Sequence, residues 1–218
     1  LHELLEKLRS RWPDTPLALA DLYQSGEHYI ESEFSEVYES YPQINGWLKH
    51  EAEDHLVSFC MELLHGNAPV SIDGGEVQNL DSIPFPAWDL IHLPHRDRFL
   101  KTVVQKMNRP VWEFPIGPGT FPMLSSRGCP YRCGHCSSNP GRQKGETKGQ
   151  RRYSADYISK YLKKVTTEFK GKRIFFLDEM VNVETNHFDT LLQSLNRYRL
   201  TYDFPNGMRA DHIKSQHI

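Results

Sequence analysis

Cysteine is scarce in this 218-residue chain. There are four, and three of them, Cys129, Cys133 and Cys136, fall within eight residues. A disulfide frame spreads its cysteines along the chain. This clustering points instead to metal ligation in a reducing, cytoplasmic compartment. Long apolar runs are also missing. None approaches the roughly 20 residues that span a bilayer, so no membrane-spanning helix is expected. No secretory leader is read at the start. The chain opens Leu1-His2-Glu3-Leu4-Leu5-Glu6-Lys7, a charged, amphipathic helical pattern. An initiator Met is lacking, so the amino terminus is expected to be cut from something longer.

A strong net charge is absent as well, at −2, but that balance hides an asymmetry. Residues 1–60 hold twelve acids against four Lys/Arg, about −8, whereas residues 141–173 hold eleven Lys/Arg against three acids, about +8. The plainest reading of the basic block is a solvated loop and helix face. The alternatives are an anionic substrate or a docking surface for an acidic electron donor. Nucleic acid finds no support, because no aromatic residues interleave the basic ones.

Taken in order, the chain reads as an α/β protein. Leu1–Arg11 predicts a helix and Pro16–Ala20 a buried parallel strand. Ile30–Tyr41 predicts a helix with Phe34, Val37 and Tyr41 at helical spacing, and Ile44–Leu48 a second strand. A third helix is expected over Glu51–Leu64, its apolar side made of Leu56, Phe59, Cys60, Leu63 and Leu64, with Cys60 a small core residue. Pro69–Gln78, centred on Asp73-Gly74-Gly75, predicts a hairpin. That leaves two strands, too few for a sheet of their own, so residues 1–80 read as the later part of a doubly wound domain. Residues 81–120 form a Pro- and Gly-rich connector with a short helix over Arg96–Met107. A new βα series fills 121–218. It has strands at Phe121–Arg127, Arg173–Leu177 and Tyr202–Met208. Helices fall at Ser154–Phe169, with Ser154 as N-cap, and at His187–Leu195. Three βα steps without a closing element resemble the first half of a parallel barrel, so both ends are expected to be truncated.

The cysteines follow the first strand of that second series, as Ser125-Ser126-Arg127-Gly128-Cys129-Pro130-Tyr131-Arg132-Cys133-Gly134-His135-Cys136. Loops at strand ends carry the ligands in α/β proteins. Structural zinc takes four protein ligands, usually as two Cys-x2-Cys knuckles. A second knuckle is missing here, and His135 is adjacent to Cys136, so both on one ion would be strained. Three thiolates suit a four-iron cluster with one iron left open. Zinc remains the rival.

Cys-x3-Cys-x2-Cys after a first β-strand resembles the radical S-adenosylmethionine superfamily, and in particular its members with an N-terminal cobalamin-binding domain. The resemblance implies a Rossmann-like cobalamin-binding domain in part (1–80), a connector (81–120), and the first three βα units of a radical S-adenosylmethionine barrel (121–218). It implies that Cys129, Cys133 and Cys136 each bind one iron of a 4Fe–4S cluster, with S-adenosylmethionine on the fourth. Reductive cleavage of that cofactor gives a 5′-deoxyadenosyl radical that modifies an unactivated carbon, by methyl transfer if cobalamin binds. The cofactor-binding residues it implies are His135, beside the adenine in place of the usual aromatic residue; Asp178 and Glu179, at a strand end where relatives have Gly-Gly-Glu; and Arg209. Arg209 would pair with the cofactor carboxylate or with Asp211. A donor such as flavodoxin or ferredoxin would supply the electron. The substrate, small molecule or peptide, is not legible.

In the first domain the resemblance is altered. Leu17–Asp21 stands where relatives have a strand ending in Gly-Gly, and His50-Glu51-Ala52-Glu53 where they have Gly-Glu-Gly-Glu. His28, His50, His55 and His65 read as surface or helix-end residues rather than cobalt ligands. Two alternatives therefore stand beside the cobalamin-dependent enzyme: a radical enzyme whose first domain binds nothing, and a non-catalytic iron–sulfur or zinc module.

Overall fold

The computed structural model describes residues 1–20, 34–66, 69–102, 117–131, 133 and 149–217. Two compact units are present, one built on Leu1–Gln78 and the other on Asn79–Pro130 with Lys148–Ile218.

The first unit contains α1 (His2–Arg11), β1 (Ala18–Ala20), α2 (Phe34–Ser40), β2 (Gly46–Lys49), α3 (Leu56–Leu64) and β3 (Val70–Asp73). The strands form a parallel sheet in the order β1-β2-β3. Strand alternation sends neighbouring side chains to opposite faces. Trp47 accordingly packs with Leu5, Val37 and Ile44, and Leu48 packs with Ala52, Phe59, Leu63 and Val70. Helices thus cover both faces, and β2 is buried along its whole length. Arg9 ties the near ends of the strands together, donating to the carbonyls of Pro13, Thr15 and Gln43 and to Asn45 Oδ1.

Several local expectations for this unit are corrected. The segment read as a hairpin supplies a third parallel strand, β3, which pairs with β2 rather than folding back on itself. The reason is Glu51. Its N–H donates to Gly75 O, and its carboxylate accepts from Val77 N at 2.8 Å, so the glycines wrap over Glu51 instead of reversing the chain. The same commitment delays α3 to Leu56, because Ala52 O caps the turn through His55 N and Leu56 N. Cys60 is exposed and is not a core residue, since Phe59 and Leu63 fill the inward side. At the sheet edge β1 is exposed, half-buried only at Leu19, rather than buried.

The second unit contains α4 (Leu93–Thr102), β4 (Thr120–Met123), β5 (Ser126–Arg127), β6 (Arg151–Arg152), α5 (Ala155–Thr167), β7 (Arg173–Phe176), α6 (Thr185–Arg197) and β8 (Thr201–Asp203). Strands β4, β7 and β8 are parallel and lie side by side in chain order. Phe121, Ile174 and Phe176 of the sheet and Ile158, Leu162, Val165, Leu191 and Leu195 of the helices are buried. Ser154 caps α5 as expected, its hydroxyl accepting from Tyr157 N. The strand expected over Phe121–Arg127 is two elements. β4 ends at Met123, and β5 turns away to pair antiparallel with β6. The third strand is also shorter than expected, ending at Asp203.

The segment from Leu80 to Leu90 packs on this second unit. Asp81 accepts from Ser154 N at 2.8 Å, Phe85 meets Tyr157 edge-on, and Trp88 Nε1 donates to Tyr161 Oη at 3.0 Å while its ring abuts Phe121. Among the described residues no helix is long and apolar enough to cross a membrane.

Candidate metal and cofactor site

The C-terminal ends of β4, β7 and β8 lie together, because the three strands are parallel and adjacent. From β4 the chain runs through Leu124 to Ser125 and Ser126, both buried, and then to Gly128, which adopts φ +86, and half-buried Cys129. Gly128 is required twice over. A side chain disfavours that φ, and a Cβ there would lie 2.7 Å from Gly149 O on the neighbouring leg of the loop.

The end of β7 supplies Asp178, 2% exposed. Ser125 N donates to both of its oxygens, at 3.1 and 3.0 Å, and the hydroxyls of Ser125 and Ser126 donate to Oδ1 at 2.7 and 2.6 Å. Burial is the largest influence and leaves this carboxyl above its ordinary range, with the Ser125 and Ser126 donors offsetting only part of it. Two hydroxyls and a backbone N–H all directed at it suit an ionised acceptor. The carboxylate therefore faces the segment that leads into Cys129. Glu179, one residue on, is half-buried.

The end of β8 closes the arrangement. Asn206 Nδ2 donates to the carbonyls of Asp178 and Leu177. Buried Asn182 exchanges two hydrogen bonds with the backbone of Arg209, both 2.9 Å. The Arg209 guanidinium is held by Asp211, whose carboxyl it keeps below the usual range. Asp211 is one of the two partners expected for Arg209. His212 Nδ1 lies 2.8 Å from Asn182 O, so it carries the ring proton, because a carbonyl only accepts.

Sequence reasoning did not anticipate His187. It sits in the first turn of α6, where Glu184 caps the helix by accepting from Asn186 N and His187 N. Its Nε2 is 3.3 Å from Ser125 Oγ. Burial first, and then the Arg152 cation, push its pKa below the ordinary value of 6.5. A histidine depressed in the folded state binds fewer protons there than when unfolded. Stability is therefore expected to fall as pH drops below about 6.5, by at most about 1.4 kcal/mol per pH unit for one group. Denaturant unfolding between pH 7.5 and 5 should show that slope, and His187→Gln should flatten it.

Ser125, His187 and Asp178 do not form a nucleophilic triad. The carboxylate binds the serine rather than the imidazole, and Ser125 is fully buried, with its proton directed at Asp178.

The structure describes two of the three clustered cysteines, half-buried Cys129 and exposed Cys133. Cys136 and His135 lie outside the described residues. Among the described residues no three His, Cys, Asp or Glu side chains are gathered for a metal ion. The donor set still fits an iron–sulfur cluster. It has three thiols within eight residues of sequence, and the chain enters that stretch from a backbone anchored on two sides, by Asp178 and by the β5–β6 ladder.

No family model matches the chain, and no curated protein matches it.

In the basic block, Lys160 and Lys164 pair with Asp156 and Glu168 one turn away on α5, and Arg173 pairs with Asp203 at 2.6 Å. The two i,i+4 pairs favour the solvated-face reading for the α5 part of the block.

Proposed function

We propose that the chain belongs to a radical S-adenosylmethionine enzyme, with a Rossmann-like domain followed by the opening units of a barrel. The observation that carries this reading is the cysteine triad leaving the C-terminal end of the first of three parallel strands. Cys129, Cys133 and Cys136 would hold three irons of a 4Fe–4S cluster. When bound, the cluster would supply the one electron that breaks the sulfur–carbon bond of S-adenosylmethionine into methionine and a 5′-deoxyadenosyl radical. Around it the protein's work is to orient and to exclude water. Glu179 is the carboxylate at the β7 end assigned to the cofactor ammonium, a charge-assisted contact. Arg209, held by Asp211, is assigned to the cofactor carboxylate, and His135 to its adenine. The electron would come from a reduced flavodoxin- or ferredoxin-like donor.

For the first unit, a specific observation favours the version that binds no cobalamin. The far ends of β2 and β3 are filled by their own side chains. Lys49 is 8% exposed and reaches Asp73, and His50 donates to Asp73 at 2.6 Å. Burial raises the Asp73 carboxyl, but His50, the Gly75 N–H and Lys49 more than reverse this. His50 also adopts φ +65, the conformation that glycine favours, so the backbone keeps a glycine-like turn while a side chain occupies the space.

The test is anaerobic reconstitution with iron and sulfide, followed by dithionite and S-adenosylmethionine. The expected result is about four irons per chain by the cluster's stoichiometry and release of 5′-deoxyadenosine, both lost in Cys133→Ala. One zinc per chain with no iron-dependent absorbance would favour the non-catalytic module. A spectral titration with hydroxocobalamin, expected to show no binding, decides the question for the first unit separately.

A further inference from the structure

We infer that Asp178 is a positioning residue for the metal site, an anchor that holds the start of the cysteine loop in its ligating shape rather than a contact to the cofactor. The inference rests on the iron–sulfur reading above. The carboxylate is buried and takes hydrogen bonds from Ser125 N, Ser125 Oγ and Ser126 Oγ, three residues or four before Cys129. It is itself fixed from behind, because Asn206, just past β8, donates to the Asp178 carbonyl at 2.9 Å. On its other side the loop is held by Ser126 and Arg127 pairing with Arg152 and Arg151, and by Tyr153 N donating to Ser125 O. The position of Cys129 is therefore set jointly by the ends of all three parallel strands.

This assignment separates the two neighbouring acids. Asp178, two residues past β7, is buried at 2% exposure. Glu179 is only half-buried. The inward carboxylate, with its oxygens engaged by Ser125 and Ser126, orients the loop. Groups that orient metal ligands without touching the metal alter affinity by about 10- to 100-fold when removed.

The test uses the whole chain as Asp178→Ala, Asp178→Asn and Ser126→Ala. In the metal-free protein, amide exchange of the 124–129 segment is expected to speed up about tenfold or more in Asp178→Ala, while α6 exchanges as before. After reconstitution, Asp178→Ala is expected to lose iron to a chelator about 10- to 100-fold faster, with an altered paramagnetic spectrum of the reduced cluster. Asp178→Asn keeps an accepting oxygen and should recover much of the loss. Should Asp178→Ala not fold, Asp178→Asn and Ser126→Ala carry the same comparison at smaller amplitude. Wild-type exchange and wild-type iron retention in these variants would overturn the inference. If the wild-type chain itself takes up no iron, the cluster reading fails, and the exchange measurement still decides whether Asp178 anchors the loop.

Discussion

Gly128→Ala is expected to destabilise the second unit by about 2–5 kcal/mol and to leave a chain that cannot retain a cluster. Two costs combine. Positive φ costs an L-residue about 1–2 kcal/mol, and the observed φ is +86. The new methyl would also lie 2.7 Å from Gly149 O, a backbone atom held beside the β5–β6 ladder that cannot swing aside as a side chain would. Overpacking of this kind typically adds about 1–3 kcal/mol. Gly128→Asn separates the two terms, because asparagine tolerates positive φ better than alanine does but carries the same Cβ. Equal losses in both variants would assign the effect to the close approach, and recovery in the Asn variant would assign it to the torsion. Equilibrium unfolding in urea is the measurement. A midpoint unchanged from wild type in the Ala variant would show that the loop does not leave β5 in this conformation.

The second large effect is expected in the first unit. Gly74→Ala should cost about 3 kcal/mol or more, at the upper end of overpacking changes. A Cβ at Gly74 would lie 2.2 Å from Glu51 O, 3.1 Å from Glu51 C and 3.2 Å from Lys49 O, backbone against backbone. The neighbouring glycine is the control. Gly75 has φ +61 but nothing within 4 Å of its would-be Cβ, so Gly75→Ala should cost only about 1–2 kcal/mol for the torsion. Urea unfolding of both variants, with amide exchange followed in β2, checks the difference. If Gly74→Ala is no worse than Gly75→Ala, the chain after β3 does not wrap over Glu51 as described.

That pair of glycines also shows where the sequence was legible and where it was not. Helices α5 and α6 are plain in the sequence, because Ile158, Tyr161, Leu162 and Val165, and then Phe188, Leu191 and Leu195, recur at helical spacing and all are buried. The apolar run of β7 was equally clear. Val70-Ser71-Ile72-Asp73 followed by Gly74-Gly75 carries the signature of a hairpin, and nothing local says that its partner is β2, more than twenty residues earlier. That pairing is set by Glu51, whose role depends on where Val77 ends up. Cys60 was misplaced for a related reason. Apolar residues surround α3, with Val57, Met61 and Leu64 exposed, so periodicity could not single out its inward side. At the metal site the cysteines announced themselves by spacing, but the direction of Asp178 did not come from its identity. Strand parity gives no clue, because Phe175 and Phe176 are both buried. For His187 and Asn182 no local clue exists either, because each acts through partners more than twenty-five residues away in the chain.

The strap formed by Asp81, Phe85 and Trp88 sets where this protein can be divided. A cut at about residue 120, just before β4, follows the composition of the connector. It would remove the ring packed on Phe121, the donor to Tyr161 Oη and the carboxylate that holds Ser154 N at the start of α5. Tyr157 would lose Phe85 from its edge as well. The second unit therefore begins at Asn79, and a graft of its sheet into another protein must bring residues 79–90 along. Loop changes intended to retune the site can then be tried in that longer piece with its aromatic seam intact.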